Sequence, residues 1–149
     1  MKIKSTITNL TQGDLVNLIS TASYGSQWLD FQYDKSKCPD VRPNDCAEDI
    51  AAKILLAGGT IEFIDNYAEE PDEIYSSKAH YEVDAGIYPI SLIDIANGLE
   101  TALNGGFNKA SYSEEEDARE SVFNLQTGDL DNGEAETLMQ IILFNEIIY

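Results

Sequence analysis

The chain predicts an α+β domain: a small, mostly antiparallel sheet of three to four strands packed with about five helices, the C-terminal helix in the core. Three observations carry this. Apolar residues switch between a two-residue and a helical period along the chain. Several helical stretches open on a polar cap followed three residues later by an acid. The last stretch is apolar nearly all round, which suits a helix buried on most sides. The 149 residues suffice for one domain, 1–149, with a real core. An apolar fraction of 43%, with sixteen isoleucines, eight tyrosines, five phenylalanines and one tryptophan, excludes a disordered acidic tail.

The elements follow in order. Residues 2–8 alternate, with Ile3, Ser5 and Ile7 on one face, as in a half-buried strand. Thr11 opens the first helix with Asp14 as its capping-box acid; Leu15, Leu18, Ile19 and Ala22 face inward and Gly25 stops it. Residues 28–33 form a short strand, with Trp28 and Asp30 set against Leu29, Phe31 and Tyr33. Residues 34–43, with Pro39 and Pro43, are loop. Asn44 or Asp45 caps the second helix, Asp45 and Glu48 having capping-box spacing. Ala47, Ile50, Ala51, Ile54 and Leu55 make its buried stripe, and Gly58 and Gly59 end it. Residues 60–67 are a strand with Ile61, Phe63 and Asp65 on one side. A strand at 79–84 pairs back on it as a hairpin.

Ser91 caps a third helix carrying Leu92, Ile95, Ala96, Leu99 and Leu103, closed by Gly105 and Gly106. Ser113 with Glu116 opens a fourth, with Ala118, Val122 and Leu125 inward. A polar turn at 128–133 supplies Asp131 or Asn132 as cap for the last helix, which runs from Glu134 almost to Tyr149. That helix is either the centre of the core or a core helix with one face closing a dimer. The order is β-α-β-α-β-β-α-α-α.

Charge narrows the class of partner. The chain has 27 acids against 9 bases, a net charge of −18. Residues 1–59 are close to neutral, with seven acids and six bases. Residues 60–100 hold ten acids against Lys78, and residues 110–149 hold ten against Arg119. The neutral first third and abundant isoleucine argue against adaptation to high salt. Such a surface repels nucleic acid and anionic membranes and attracts basic grooves. The one basic cluster, Lys35, Lys37 and Arg42, is too small for strong phosphate binding. No stretch approaches the roughly 20 apolar residues of a membrane span, and residues 1–6 are not followed by the apolar run of a signal peptide. Cys38 and Cys46 are expected as free thiols in a reducing cytoplasm, that of a bacterial host cell; the alternative, a local Cys38–Cys46 disulfide across the proline-containing loop, needs an oxidising compartment.

Catalytic and metal motifs are not legible. His80 is the sole histidine and no paired metal-ligand spacing accompanies it or the two cysteines. Residues 129–133 resemble the start of a calcium loop, but the glycine falls one position early and the twelfth position lacks a glutamate. No nucleophile elbow is present. Lys37 and Arg42 stand near the cysteines in sequence and could lower a thiol pKa, yet Cys46 is more simply a small residue in the first turn of a helix. The glycine pairs follow helices instead of opening them, unlike phosphate loops. The expectation is a protein that is not an enzyme and takes no cofactor or metal.

Acids on rigid elements can imitate the phosphate rows of a duplex, which carries one charge per roughly 1.7 Å. A helix face repeats about every 5.4 Å and a strand face about every 6.6 Å. Glu114, Glu115, Glu116, Asp117 and Glu120 line the fourth helix. Glu69, Glu70, Asp72 and Glu73 crowd the hairpin tip, with Glu82 and Asp84 on the return strand. Asp129 and Asp131, with Glu134 and Glu136, form a third group. These residues are the expected contacts to a basic protein such as a nuclease or another nucleic-acid-binding effector, made by a monomer or homodimer that touches neither nucleic acid nor membrane. The alternative is a non-catalytic structural or adaptor protein of a phage or conjugative element, working through an apolar patch around Ile148 and Tyr149 or around Trp28, Phe31 and Tyr33.

Residues 138–149 (LMQIILFNEIIY), 7–16 (ITNLTQGDLV, position 13 variable) and 91–100 (SLIDIANGLE) resemble segments of small uncharacterised acidic proteins carried by bacterial phages and conjugative elements. About a third of the chain is covered. The resemblance implies a setting, because mobile elements often encode acidic inhibitors of host restriction or CRISPR effectors. It assigns no chemistry to individual residues.

Overall fold

A computed structural model describes residues 9–67, 86–109 and 111–149. The expected first strand at 2–8 lies outside them, as do the acidic hairpin tip and residues 79–84.

Helix α1 spans Gln12–Gly25. Its cap is reciprocal: the Asp14 N–H donates to the Thr11 hydroxyl at 3.1 Å, and the Thr11 N–H donates to the Asp14 carboxylate at 3.0 Å. Leu15, Leu18, Ile19 and Ala22 are buried, one apolar stripe at helical spacing. Strand β1 is Leu29–Gln32, and Lys35–Lys37 make a single 3-10 turn capped by Asp34.

Helix α2 is Ala47–Leu56, and it begins one residue later than an Asp45 cap predicts and two later than an Asn44 cap. Its cap is Cys46, whose N–H donates to Asp49 at 3.0 Å. Asp45 is engaged elsewhere, accepting from the Arg42 N–H at 2.8 Å and from Lys53 Nζ at 2.7 Å. Ile50, Ala51, Ile54 and Leu55 are buried as expected, but Ala47, in the first turn, is exposed and Glu48 turns inward, where it is 4% exposed.

Among the described residues, strands β2 (Thr60–Asp65) and β3 (Ile87–Ser91) form with β1 a three-stranded antiparallel sheet in the order β1-β2-β3. Ile61, Phe63 and Asp65 of the central strand are buried, as the alternation predicts. Phe63 lies opposite Phe31 on one side and Tyr88 on the other. The edge of β2 assigned from sequence to residues 79–84 is occupied by β3, with Ile64 opposite Ile87 and Thr60 opposite Ser91.

Ser91 ends β3 and also caps helix α3, Leu92–Asn104, with Asp94 closing the capping box. Helix α4, Tyr112–Thr127, starts at Ser111 and not at the expected Ser113. The Ser111 and Ser113 hydroxyls bond each other at 3.0 Å, so Ser113 is drawn back into the first turn and does not serve as cap. Helix α5, Asn132–Phe144, is capped by Asp131 with Glu134 as its box partner.

Helix α5 packs against α1, α3 and α4 and is the centre of the core. Two glycines admit it. A Cβ on Gly98 of α3 would lie 2.5 Å from the Ile142 side chain and 2.9 Å from its Cα. A Cβ on Gly25 would lie 2.3 Å from the Asn132 side chain. The sheet meets α1 through β1, α2 through β2 and α3 through β3.

The last helix does not run almost to Tyr149. It stops at Phe144, and Asn145 takes a left-handed conformation with φ of 59°. The physical reason is Gln140, 2% exposed, whose side-chain oxygen accepts the N–H groups of Ile148 and Tyr149 at 2.7 and 2.6 Å. A buried amide needs partners, and folding the tail back supplies them. Tyr149 then reaches the buried Asp65, donating its hydroxyl at 2.7 Å, and lays its ring 5.0 Å from that of Trp28.

Candidate acidic interface

The sequence of α4 separates its faces cleanly. Ala118, Ser121, Val122 and Leu125 are buried against α5 and its neighbours. The opposite face carries Tyr112, Glu116, Glu120 and Phe123, all exposed. Asp117 sits at the border facing α5, and Glu115 at the border facing the α3–α4 connection. Acids in the first turn are favoured there because they face the positive end of the helix dipole. Glu116 and Glu120, one turn apart, repel each other by a few tenths of a kcal/mol.

Packing of α4 on α5 brings separate sequence groups together. A shallow groove of about 210 Å3 is lined by Asp117, Glu120, Ser121, Asp131, Gly133, Glu134 and Thr137. Three expected site residues, Asp117, Glu120 and Asp131, therefore share one surface although they come from two elements. Their states differ. Asp131 and Glu134 exchange backbone-to-carboxylate hydrogen bonds at 2.8 and 3.1 Å, and Glu134 also accepts from Asn124 Nδ2 at 2.5 Å. Among the described residues, no ion pair engages Glu116, Asp117, Glu120, Asp129 or Asp131. Asp129 is exposed in the α4–α5 turn, where it accepts from the Thr127 hydroxyl at 3.3 Å.

Other expected residues fall elsewhere. Glu115 lies between Lys109 Nζ at 3.7 Å and Arg119 Nη1 at 3.9 Å, so its charge is offset within the protein. Glu114 is half-buried. Glu136 turns away from the groove to accept from the Ser26 hydroxyl at the end of α1. Glu69, Glu70, Asp72, Glu73, Glu82 and Asp84 lie outside the described residues, as does His80. The apolar patch proposed around Trp28 is not a surface, since Trp28 is buried against Phe144 and Tyr149, and Phe31 and Tyr33 are half-buried.

Two bases of the nearly neutral residues 1–59 are paired with acids of the same segment. Arg42 Nε donates to Asp40 at 2.9 Å, and Lys53 binds Asp45 at 2.7 Å. The Lys53 hydrogen bond, helped by the Arg42 N–H, holds the Asp45 carboxyl below its ordinary range. Cys38 and Cys46 are free thiols. The Asp49 N–H favours the Cys46 thiolate, but the Asp49 and Glu48 carboxylates outweigh it and push that thiol up. Lys37 and Arg42 thus do not activate Cys46. No group of three metal-ligating side chains comes together among the described residues. Nor, among those residues, is any helix long and apolar enough to cross a membrane.

Sequence reasoning had no signal for the pair Tyr24 and Glu48. Glu48 Oε1 is buried without a hydrogen-bond partner among the described residues. The exposed Tyr24 hydroxyl has its pKa raised to about 12, chiefly by its hydrogen bond to Glu48. Burial works to raise the Glu48 pKa, but hydrogen bonds from Tyr24, its own backbone N–H and Cys46 hold it below the ordinary value.

Comparison with protein-family models, curated proteins and solved structures finds no match. The acidic interface is therefore read from its own geometry.

Proposed function

We propose that this protein binds a basic nucleic-acid-binding effector in the cytoplasm of a bacterial host and blocks it by occupying the site that nucleic acid would take. An anti-restriction or anti-CRISPR inhibitor of a mobile element is the kind of protein meant, acting by binding and not by catalysis. The observation that carries the reading is the groove where Asp117 and Glu120 of α4 meet Glu134 of α5 and its cap, Asp131. These carboxylates are held by a helix and a capping box, so they keep their spacing when a cation-lined channel approaches. They also stand in a segment with ten acids and one base, whose field draws in positive surfaces over a Debye length of about 8 Å at physiological salt.

The test is competition. The protein is mixed with a panel of basic nucleases and restriction enzymes at rising salt, with and without duplex DNA. Binding is expected to weaken steeply with salt, to be displaced by DNA, and to fall at least about tenfold when Glu116→Gln, Asp117→Asn and Glu120→Gln are combined. Binding indifferent to salt, or none across the panel, would refute the reading.

A further inference from the structure

We infer that the outer face of α4 is a docking surface for an arginine-rich protein segment, with Glu116 and Glu120 pairing the guanidinium groups and the rings of Tyr112 and Phe123 receiving them. The inference rests on the basic-partner reading and names which cation that partner presents. Tyr112 and Phe123 are 69% and 63% exposed, an unusual placing for two rings on a helix otherwise rich in acids. They are eleven residues apart, which brings them back to within about 20° of the same direction and about 16 Å along the axis. Glu116 and Glu120 lie between them on the same face, and Glu116, Arg119, Glu120 and Phe123 line one shallow depression.

Arg119 also lies on this face. It is directed toward Glu115, one turn back and to the side, with Nη1 3.9 Å from that carboxylate. The charge left for a partner is that of Glu116 and Glu120. Glu120 also lines the groove with α5, so the outer face and the groove form one continuous acidic surface.

Charge complementarity chooses the occupant. A second copy of this chain would set acids against acids, and an anionic lipid or nucleic acid would be repelled. A simple duplex mimic needs no rings, so the rings ask for a cation with a flat, weakly hydrated face. Arginine fits: its planar fork pairs a carboxylate through two N–H groups while its face stacks on an aromatic ring. Lysine offers a hydrated point charge and gains less from a ring.

The probes are an arginine–alanine peptide and its lysine–alanine twin of equal length and charge, titrated into the full chain at low and physiological salt. The arginine peptide is expected to bind roughly fivefold or more tightly, as two exposed cation–ring contacts imply. Tyr112→Leu with Phe123→Leu keeps an apolar helix face but removes the rings; it should close that gap while leaving the salt dependence. Equal affinity for the two peptides, or a gap that survives the double leucine variant, overturns the inference but leaves the acidic-partner reading standing, provided binding remains salt-dependent. No binding of either peptide at low salt overturns both.

Discussion

Replacing Gln140 by leucine should release the last residues of the chain and leave the rest of the fold in place. The side-chain oxygen of Gln140 accepts two backbone N–H groups, from Ile148 and Tyr149, at 2.7 and 2.6 Å. Each bond contributes about 1 kcal/mol net, and stranding partly buried donors raises the combined cost to about 3 kcal/mol. A leucine in that apolar site regains roughly 1 kcal/mol through burial. The expected loss is about 2 kcal/mol, or about 4–8 °C in melting temperature for a chain of this size. Circular dichroism reads the melt. Emission from Trp28, the only tryptophan, reads the tail, because the Tyr149 ring packs 5.0 Å from it. Tyr149→Phe is the companion: it keeps the ring but removes the 2.7 Å hydrogen bond to Asp65, and should cost about 1–3 kcal/mol because the acceptor is a buried carboxylate. An unchanged melt and unchanged Trp28 emission in the Gln140→Leu protein would refute the account of why α5 ends at Phe144.

Three further outcomes are expected. Glu115→Gln should leave binding to a basic nuclease nearly unchanged, since Lys109 and Arg119 already offset that charge, whereas Glu116→Gln or Glu120→Gln should each weaken it; equal effects in a binding titration would contradict the assignment. Gly98→Ala should separate α3 from α5 and cost about 1–3 kcal/mol in urea denaturation, because the new Cβ would meet both the side chain and the Cα of Ile142. Tyr24 should titrate near pH 12 by ultraviolet absorbance, and Glu48→Gln should return it toward 10. Its folded pKa lies above the unfolded value, so its contribution to stability is present below pH 10 and is lost as pH rises through about 12.

The caps of α1, α3 and α5 were legible, whereas those of α2 and α4 were not. Thr11 with Asp14 and Ser91 with Asp94 are reciprocal local pairs, decided within four residues, and the structure has both. The cap of α2 was misplaced because Asn44 and Asp45 are better caps by type than Cys46, and Asp45 is taken by the Arg42 N–H and by Lys53, eight residues on. Strand β3 was missed because Pro89 interrupts a five-residue run; among the described residues the strand sits at the sheet edge, where proline is tolerated. The end of α5 was hidden by apolar residues on both sides of it, and the signals were Gln140 within the apolar run and Asn145, a residue type that tolerates the left-handed conformation it takes. For the candidate site, sequence showed the acids on α4 and in the following turn. It could not show that Asp117 and Glu120 face Asp131, because that depends on how two helices pack. Nor could it show that Glu115 is already neutralised by Lys109, six residues before it.

The last helix in sequence is the one that α1, α3 and α4 pack around. During synthesis those three helices are made before the surface that buries them exists. Ser26 must wait for Glu136, 110 residues later, and the Gly25 backbone for Asn132. A nascent chain ending at residue 131 can already pair α1 with α2 and α3 with α4, but the parts of the α1, α3 and α4 stripes that α5 covers stay open until that helix is made. The acids of α4 precede α5 in the chain, and their like charge opposes the approach of two such chains while those stripes are open.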